Sequence, residues 1–148
     1  MRISARGRYA LAATISMAPR HGTGENITVV SLSESLGISK IYLEQVFSLL
    51  KKADVVSSQK GAQGGYRLSR PPQDITALEV LSATDLSLFE EVGDTVAEHA
   101  PDIEAAMRLS VFDAVDGAVR ETLTGVSLQD LADEMKKHRK DQAYMFFI

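Results

Sequence analysis

Apolar positions recur every three to four residues along most of this chain, a pattern that predicts helices. Leu11, Ile15 and Ala18 lie at i, i+4 and i+7, with Tyr9 in the same region, and predict a helix over 4–18. Ser4 is suited to cap its start, and Pro19 ends it by pushing Ala18 out of the helical region. The Gly-containing segment 21–26 predicts a turn or loop. Ser31-Leu32-Ser33-Glu34 fits a capping box, which predicts a short helix from Leu32 to about Gly37 with Leu32 and Leu36 buried. Gly37 supplies a tight turn, and Ser39 is a good cap for a second helix over 40–52. In that helix Leu43, Val46, Phe47 and Leu50 fall at i, i+3, i+4 and i+7 and must face a core. The opposite face carries Lys40, Ile41, Tyr42, Glu44, Gln45, Ser48, Lys51 and Lys52.

The period then changes. Val55 and Val56 favour a strand, and Tyr66-Arg67-Leu68 alternates. The glycines at 61, 64 and 65 lie between them and predict a hairpin with a flexible tip. A short helix, a Gly turn, a longer helix with a polar and basic face, and then a hairpin make the layout of a winged helix-turn-helix. Pro71-Pro72 marks the expected end of this module. The pattern therefore divides the chain into a DNA-binding domain over 1–72 and a second part over 73–148, comprising linker, dimerisation helix and tail.

In the second part, Thr76-Ala77-Leu78-Glu79 is another capping box and opens a helix to about Ala83. Residues 85–100 are acidic and carry no clear period. Pro101 suits the first position of a helix. From there Ile103, Met107, Val111, Val115, Ala118 and Thr122 form a stripe that predicts one long amphipathic helix to about Leu123. Ser127 caps a last helix with the stripe Leu128, Leu131, Ala132 and Met135, ending in the basic run 136–140. A small basic module plus one long striped helix leaves apolar surface uncovered, so the stripe is expected to pair two copies of the chain. Tyr144, Met145, Phe146, Phe147 and Ile148 close the chain with large apolar side chains. They either fold back onto the protein or across a dimer, or serve as a docking peptide for a partner.

Charge sharpens this picture. The 148 residues carry a formal charge of −4, which argues against a nucleic-acid binder when taken whole. The halves differ, however: residues 1–72 sum to +6 and residues 73–148 to −10. Such a split suggests two modules with different partners. There is no Cys, which excludes a disulfide framework, thiolate zinc and cysteine-held iron–sulfur clusters, and fits a cytoplasmic protein. No apolar run reaches a bilayer-spanning length, and the basic N-terminus lacks the apolar stretch of a signal peptide.

An α-helix fits the major groove, where outward side chains exchange hydrogen bonds with base edges. Ser39, Tyr42, Glu44 and Gln45 supply that chemistry, with Lys40 on the same face. Lys51 and Lys52 suit phosphates, and Lys60 at the wing is a candidate minor-groove cation. The glycines at 61–65 lack the phosphate-loop pattern, and His21, His99 and His138 form no metal-ligand pair, so neither a metal nor a cofactor is expected. No nucleophile elbow or dinucleotide motif points to an enzyme.

The stretches MRISARGRYALAA and LGISKIYLEQVFSLLKKADVVSSQKGAQGGYRLS closely resemble the bacterial winged-helix transcriptional regulators typified by IscR and CymR. The resemblance is strong over most of 1–85, and the ending AYMFFI is similar to the cysteine-metabolism branch of that family. It implies a mainly α fold with a small β-hairpin wing and a long dimerisation helix. The implied function is that of a repressor of cysteine and sulfur genes that binds a palindromic operator as a homodimer. It places Ser39, Tyr42, Glu44 and Gln45 at base-reading positions and Arg2, Arg6 and Arg8 near phosphates. Lys60 stands where a wing arginine is typical. The iron–sulfur branch carries three cysteines matching roughly 85–104, and this chain has none. The cysteine branch implies a complex with the cysteine synthase CysK, for which Ile148 with a free carboxylate is the candidate docking end. Two rival readings remain: a regulator sensing a small ligand or stress through 85–100, and a winged-helix protein–protein adaptor.

Overall fold

The first helix, α1, runs Ala5–Met17 and continues as a 3-10 turn Ala18–Arg20 in the computed structural model, which describes residues 2–62 and 64–146. Ser4 caps α1 as its sequence predicts: its Oγ accepts the Gly7 N–H at 3.1 Å. The buried face differs from the predicted one. Gly7, Ala10, Ala13, Thr14 and Met17 are buried, together with Ala18 of the predicted stripe, whereas Tyr9, Leu11 and Ile15 are only partly buried, the first two against the core. Helix α1 touches four other helices, and small residues let their backbones approach closely. The buried Thr14 hydroxyl is satisfied by the Ala10 carbonyl at 2.8 Å.

Helix α2 spans Val29–Leu36, three residues earlier than the Ser31 capping box predicts. The cap is Thr28, whose Oγ1 accepts the Ser31 N–H at 3.1 Å, while the Ser31 hydroxyl turns back to the Thr28 carbonyl. Helix α3 spans Lys40–Lys52, and Ser39 caps it by accepting the Tyr42 N–H at 3.1 Å. Leu43, Val46, Phe47 and Leu50 are fully buried, as the spacing requires.

Strands β1 (Val56–Gln59) and β2 (Gly65–Leu68) pair antiparallel, with Val56 opposite Leu68 and Gln59 opposite Gly65. Ile27 adds a bridge on the other edge of β2: it exchanges two hydrogen bonds with Tyr66, at 2.9 and 2.7 Å. Gly65 makes this possible. Its φ is +150°, and a Cβ there would lie 2.7 Å from the Ile27 carbonyl oxygen. Gly65→Ala should therefore cost about 1–3 kcal/mol of backbone strain. Denaturant unfolding should show this as a lower midpoint with an unchanged slope.

The core continues past Pro71-Pro72. A 3-10 turn over Pro72–Asp74 leads to α4, Ala77–Thr84, whose Thr76–Glu79 capping box forms as predicted. Ile75 and Val80 join the same core cluster as α1 and α3. After the 85–100 segment comes α5 (Pro101–Met107), a π-helical segment (Arg108–Phe112) and α6 (Asp113–Thr124). The stripe read as one regular helix thus contains a π-helical turn. Helix α7 spans Leu128–Phe146 and returns Leu128 and Ala132 to the core against α1. It continues beyond the basic run 136–140, which therefore lies within the helix rather than at its end. The architecture is mainly helical with a two-stranded hairpin, a winged helix.

Candidate nucleic-acid interface

Helix α3 presents Ser39, Lys40, Ile41, Glu44, Gln45, Ser48, Lys51 and Lys52 to solvent, opposite its buried stripe. Two candidates are partly engaged. Ser39 Oγ caps the helix, which leaves its hydroxyl hydrogen to donate. Tyr42 is half-buried, its ring set edge-on to Tyr9 with centroids 5.0 Å apart, so its phenol end is the part left for recognition. Lys40 and Glu44 approach to 3.9 Å with both side chains exposed, an ion pair weak enough to open on binding.

Arg6 lies beside this face. A shallow cleft of about 500 Å³ is lined by Arg6 from α1 and by Ile41, Glu44, Gln45, Ser48 and Leu49 from α3. Arg6 Nε is shielded from solvent and has no hydrogen-bond partner among the described residues. A buried guanidinium N–H without an acceptor is costly, and an incoming anion relieves it. The chain pattern could not reveal this, because it depends on α1 packing across α3. Arg2 and Arg8 are exposed on the same N-terminal segment, and Lys60 is exposed at the wing.

The other wing arginines hold the module together. Arg67 donates to Asn26 Oδ1 and to the Gly24 carbonyl, tying β2 to the 21–26 loop. Arg70 forks onto the Glu79 carboxylate, and that contact raises its pKa further.

The proposed dimer stripe is uncovered within one chain. Ile103, Val111 and Val115 are each more than half exposed, Ala118 is exposed and Met107 is half-buried. Leu109, which the stripe omitted, is exposed as well. Tyr144 and Met145 are also largely exposed on α7, so they do not fold back onto their own chain. The side chain of Phe146 and residues Phe147 and Ile148 lie outside the described part of the chain.

The anchor of the 85–100 segment is not visible in the chain pattern. Glu104 is buried in the first turns of α5 and accepts the N–H groups of Thr95 and Val96 at 3.2 and 2.8 Å. Arg108, one turn on, bonds Glu104 and Asp94 as well as the Val92 carbonyl. The Val96 N–H, then those of Thr95 and the Arg108 guanidinium, hold the Glu104 carboxyl below the usual glutamate range against the opposing effect of burial. A lowered carboxyl pKa means stability that is present above the ordinary carboxylate range and is lost as pH falls through the lowered value. Glu104→Gln should therefore lower Tm at neutral pH, and the gap to the wild type should close in acid.

These elements are those of a known group of regulators. The family model Rrf2, described as an iron-dependent transcriptional regulator, matches residues 3–134. The chain belongs to the Rrf2 family. Its relatives include the HTH-type transcriptional regulator CymR of Bacillus subtilis, 34% identical over 148 residues and covering 100% of both chains. The HTH-type regulator IscR of Aliivibrio salmonicida is 42% identical over 88 residues, which is 60% of this chain and 52% of IscR. The solved structure of CymR, the global cysteine regulator of B. subtilis, aligns with a TM-score of 0.72 at 32% identity, covering 90% of this chain and 98% of that one. This Rrf2 protein is accordingly a transcriptional regulator of the DNA-binding winged-helix type, and its relatives are regulators rather than enzymes.

The iron dependence in the family description meets a donor set that does not fit it. The chain has no thiolate, and no group of three or more His, Asp or Glu among the described residues is placed to hold a metal. Glu104, the buried acid of the 85–104 region, is already saturated by two backbone N–H groups and Arg108. No helix among the described residues is long and apolar enough to cross a membrane.

Proposed function

We propose that this Rrf2 protein is a cytoplasmic, dimeric repressor of cysteine and sulfur-metabolism genes that reads a palindromic operator without an iron–sulfur cluster. The observation that carries the reading is the cleft between α1 and α3. It sets an unpaired Arg6 Nε beside the exposed Glu44 and Gln45 of the helix that enters the major groove. Gln45 and Glu44 read base edges, with Ser39 and Tyr42 at the start of the helix. Arg2, Arg6, Arg8, Lys40, Lys51 and Lys52 hold phosphates, and Lys60 enters the minor groove from the wing. The stripe of Ile103, Met107, Val111, Val115 and Ala118 pairs two copies, so that two recognition helices meet two half-sites. Occupying a promoter in this way excludes polymerase.

The choice of genes rests on the full-length likeness to CymR and its naming as a global cysteine regulator. With no cluster to carry the signal, control passes to a protein partner. The exposed Tyr144 and Met145 lead to the Phe146–Ile148 end, which suits docking into cysteine synthase CysK. Deleting residues 145–148 should abolish that binding in calorimetry, and unchanged affinity would refute the docking role.

Binding assays on duplex DNA test the recognition face. Gln45→Ala should cost ~1–3 kcal/mol on the preferred operator and little on random duplex. Lys52→Ala or Lys60→Ala should weaken both duplexes alike and flatten the salt slope by about 0.9 per lost phosphate contact. If Gln45→Ala leaves the preference for operator intact, α3 does not read the bases.

A further inference from the structure

A cavity of about 370 Å³ lies between the end of α1, the 21–27 loop and strand β2, away from the recognition helix. Buried Met17, Ile27 and Leu68 form its apolar wall. Its charged groups are the cations Arg20 and Arg67 and one acid, Glu25, with His21 beside them. Arg67 is held in a fixed pose by Asn26 Oδ1 at 2.6 Å and the Gly24 carbonyl at 2.8 Å, through Nε and Nη2. Its Nη1 has no acceptor among the described residues. Arg20 meets Glu25 only at 3.9 Å, and both side chains are well exposed.

The loop is preorganised too. Thr23 donates its N–H and its hydroxyl to the Arg20 carbonyl, and its Oγ1 accepts the Glu25 N–H. Gly22 and Gly24 also line the cavity, and their N–H groups have no acceptor among the described residues. A fixed guanidinium, a second arginine that can leave its weak pair, and free loop amides are the donors an oxyanion requires.

We propose that this cavity binds a small oxyanion, the carboxylate, sulfate or phosphate group of a metabolite. Arg67 and the two glycine amides hold the oxygens, and Arg20 turns from Glu25 to close over them. The bound anion joins the wing strand to the end of α1. Occupancy therefore stiffens the angle between Lys60 on the wing and Arg6 on α1, the two elements that flank the recognition helix. The site stands apart from the DNA reading and is testable without it.

The experiment titrates the 15N-labelled full chain, without DNA, with inorganic phosphate, sulfate and acetate, each against chloride at equal ionic strength. The Gly22 and Gly24 amides are followed. At least one of the three anions should move both amides to saturation with a shared midpoint. Arg67→Gln should raise that midpoint by about tenfold or more, the loss of one charge-assisted contact. Arg20→Gln should raise it severalfold, and it leaves the Arg67 tie to the loop intact should the first variant loosen the hairpin. Linear drift in every salt, or movement confined to Lys51, Lys52 and Lys60, would overturn the site. Duplex DNA moving the same two glycines would overturn it as well, making the cavity a seat for DNA phosphate.

Discussion

Phe47→Ala is expected to cost ~3–5 kcal/mol of folding stability, the largest single loss in the chain. Phe47 is fully buried on α3, and its ring lies 4.6 Å, centroid to centroid, from that of Tyr66 on β2. It therefore fills the core and also couples α3 to the wing. Truncation leaves a cavity in a core cluster that Phe47 shares with Ala10 and Ala13 of α1, side chains too short to fill it. A domain of ordinary stability has ~5–15 kcal/mol in total, so this one change removes a large part of it. Urea unfolding should show a marked fall in midpoint. DNA affinity measured well below the new midpoint should fall too, because Tyr66 and the wing lose their support. Phe47→Leu, which nearly conserves volume, should cost less than about 1.5 kcal/mol. A cost for Phe47→Ala below about 1 kcal/mol would mean that the ring does not join the two elements.

That residue also marks what the chain pattern could tell. Leu43, Val46, Phe47 and Leu50 repeat with helical period, and all four are fully buried. The caps at Ser4, Ser39 and Thr76 are local chemistry, and each forms as read. Helix α1 defeated the same rule because its buried face is set by close approach. A pattern that scores bulk selects Leu11 and Ile15, whereas four neighbouring helices select Gly7, Ala10 and Ala13. Helix α2 starts at Val29 rather than Leu32: the Ile27 bridge to Tyr66 sets the chain just before Thr28, whose hydroxyl then accepts the Ser31 N–H. The π-helical turn over Arg108–Phe112 has no period signature in a sequence this short. The exposed polar face of α3 was legible, since solvent-facing polar residues are what the buried stripe leaves over. The unpaired Arg6 Nε, the Arg67 tie and the Glu104 anchor were not, because each joins residues from separate elements.

A charge placed in the α5–α6 stripe is expected to split the proposed dimer and, with it, DNA binding. Val111 and Val115 are the residues to change: both are more than half exposed in the single chain, so an acid there costs the fold little. The same substitution at a two-fold interface is repeated on both copies, which sets like charges against each other in an apolar seam. Val111→Asp combined with Val115→Asp should therefore leave Tm of the monomer nearly unchanged and convert the sedimenting species to one chain. The DNA consequence is larger than the area lost. Two linked recognition helices bind the second half-site at the effective concentration set by the dimer, and unlinking them should lower operator affinity by about 10²–10⁴-fold at equal protein concentration. The salt slope should fall to roughly half, since half the phosphate contacts are lost per binding event. Glu121→Lys, on an exposed position of α6, serves as the control for charge alone and should change neither mass nor affinity appreciably. A double variant that stays dimeric and keeps its affinity would place the pairing surface elsewhere, and the uncovered apolar residues of α5 and α6 would then need another occupant.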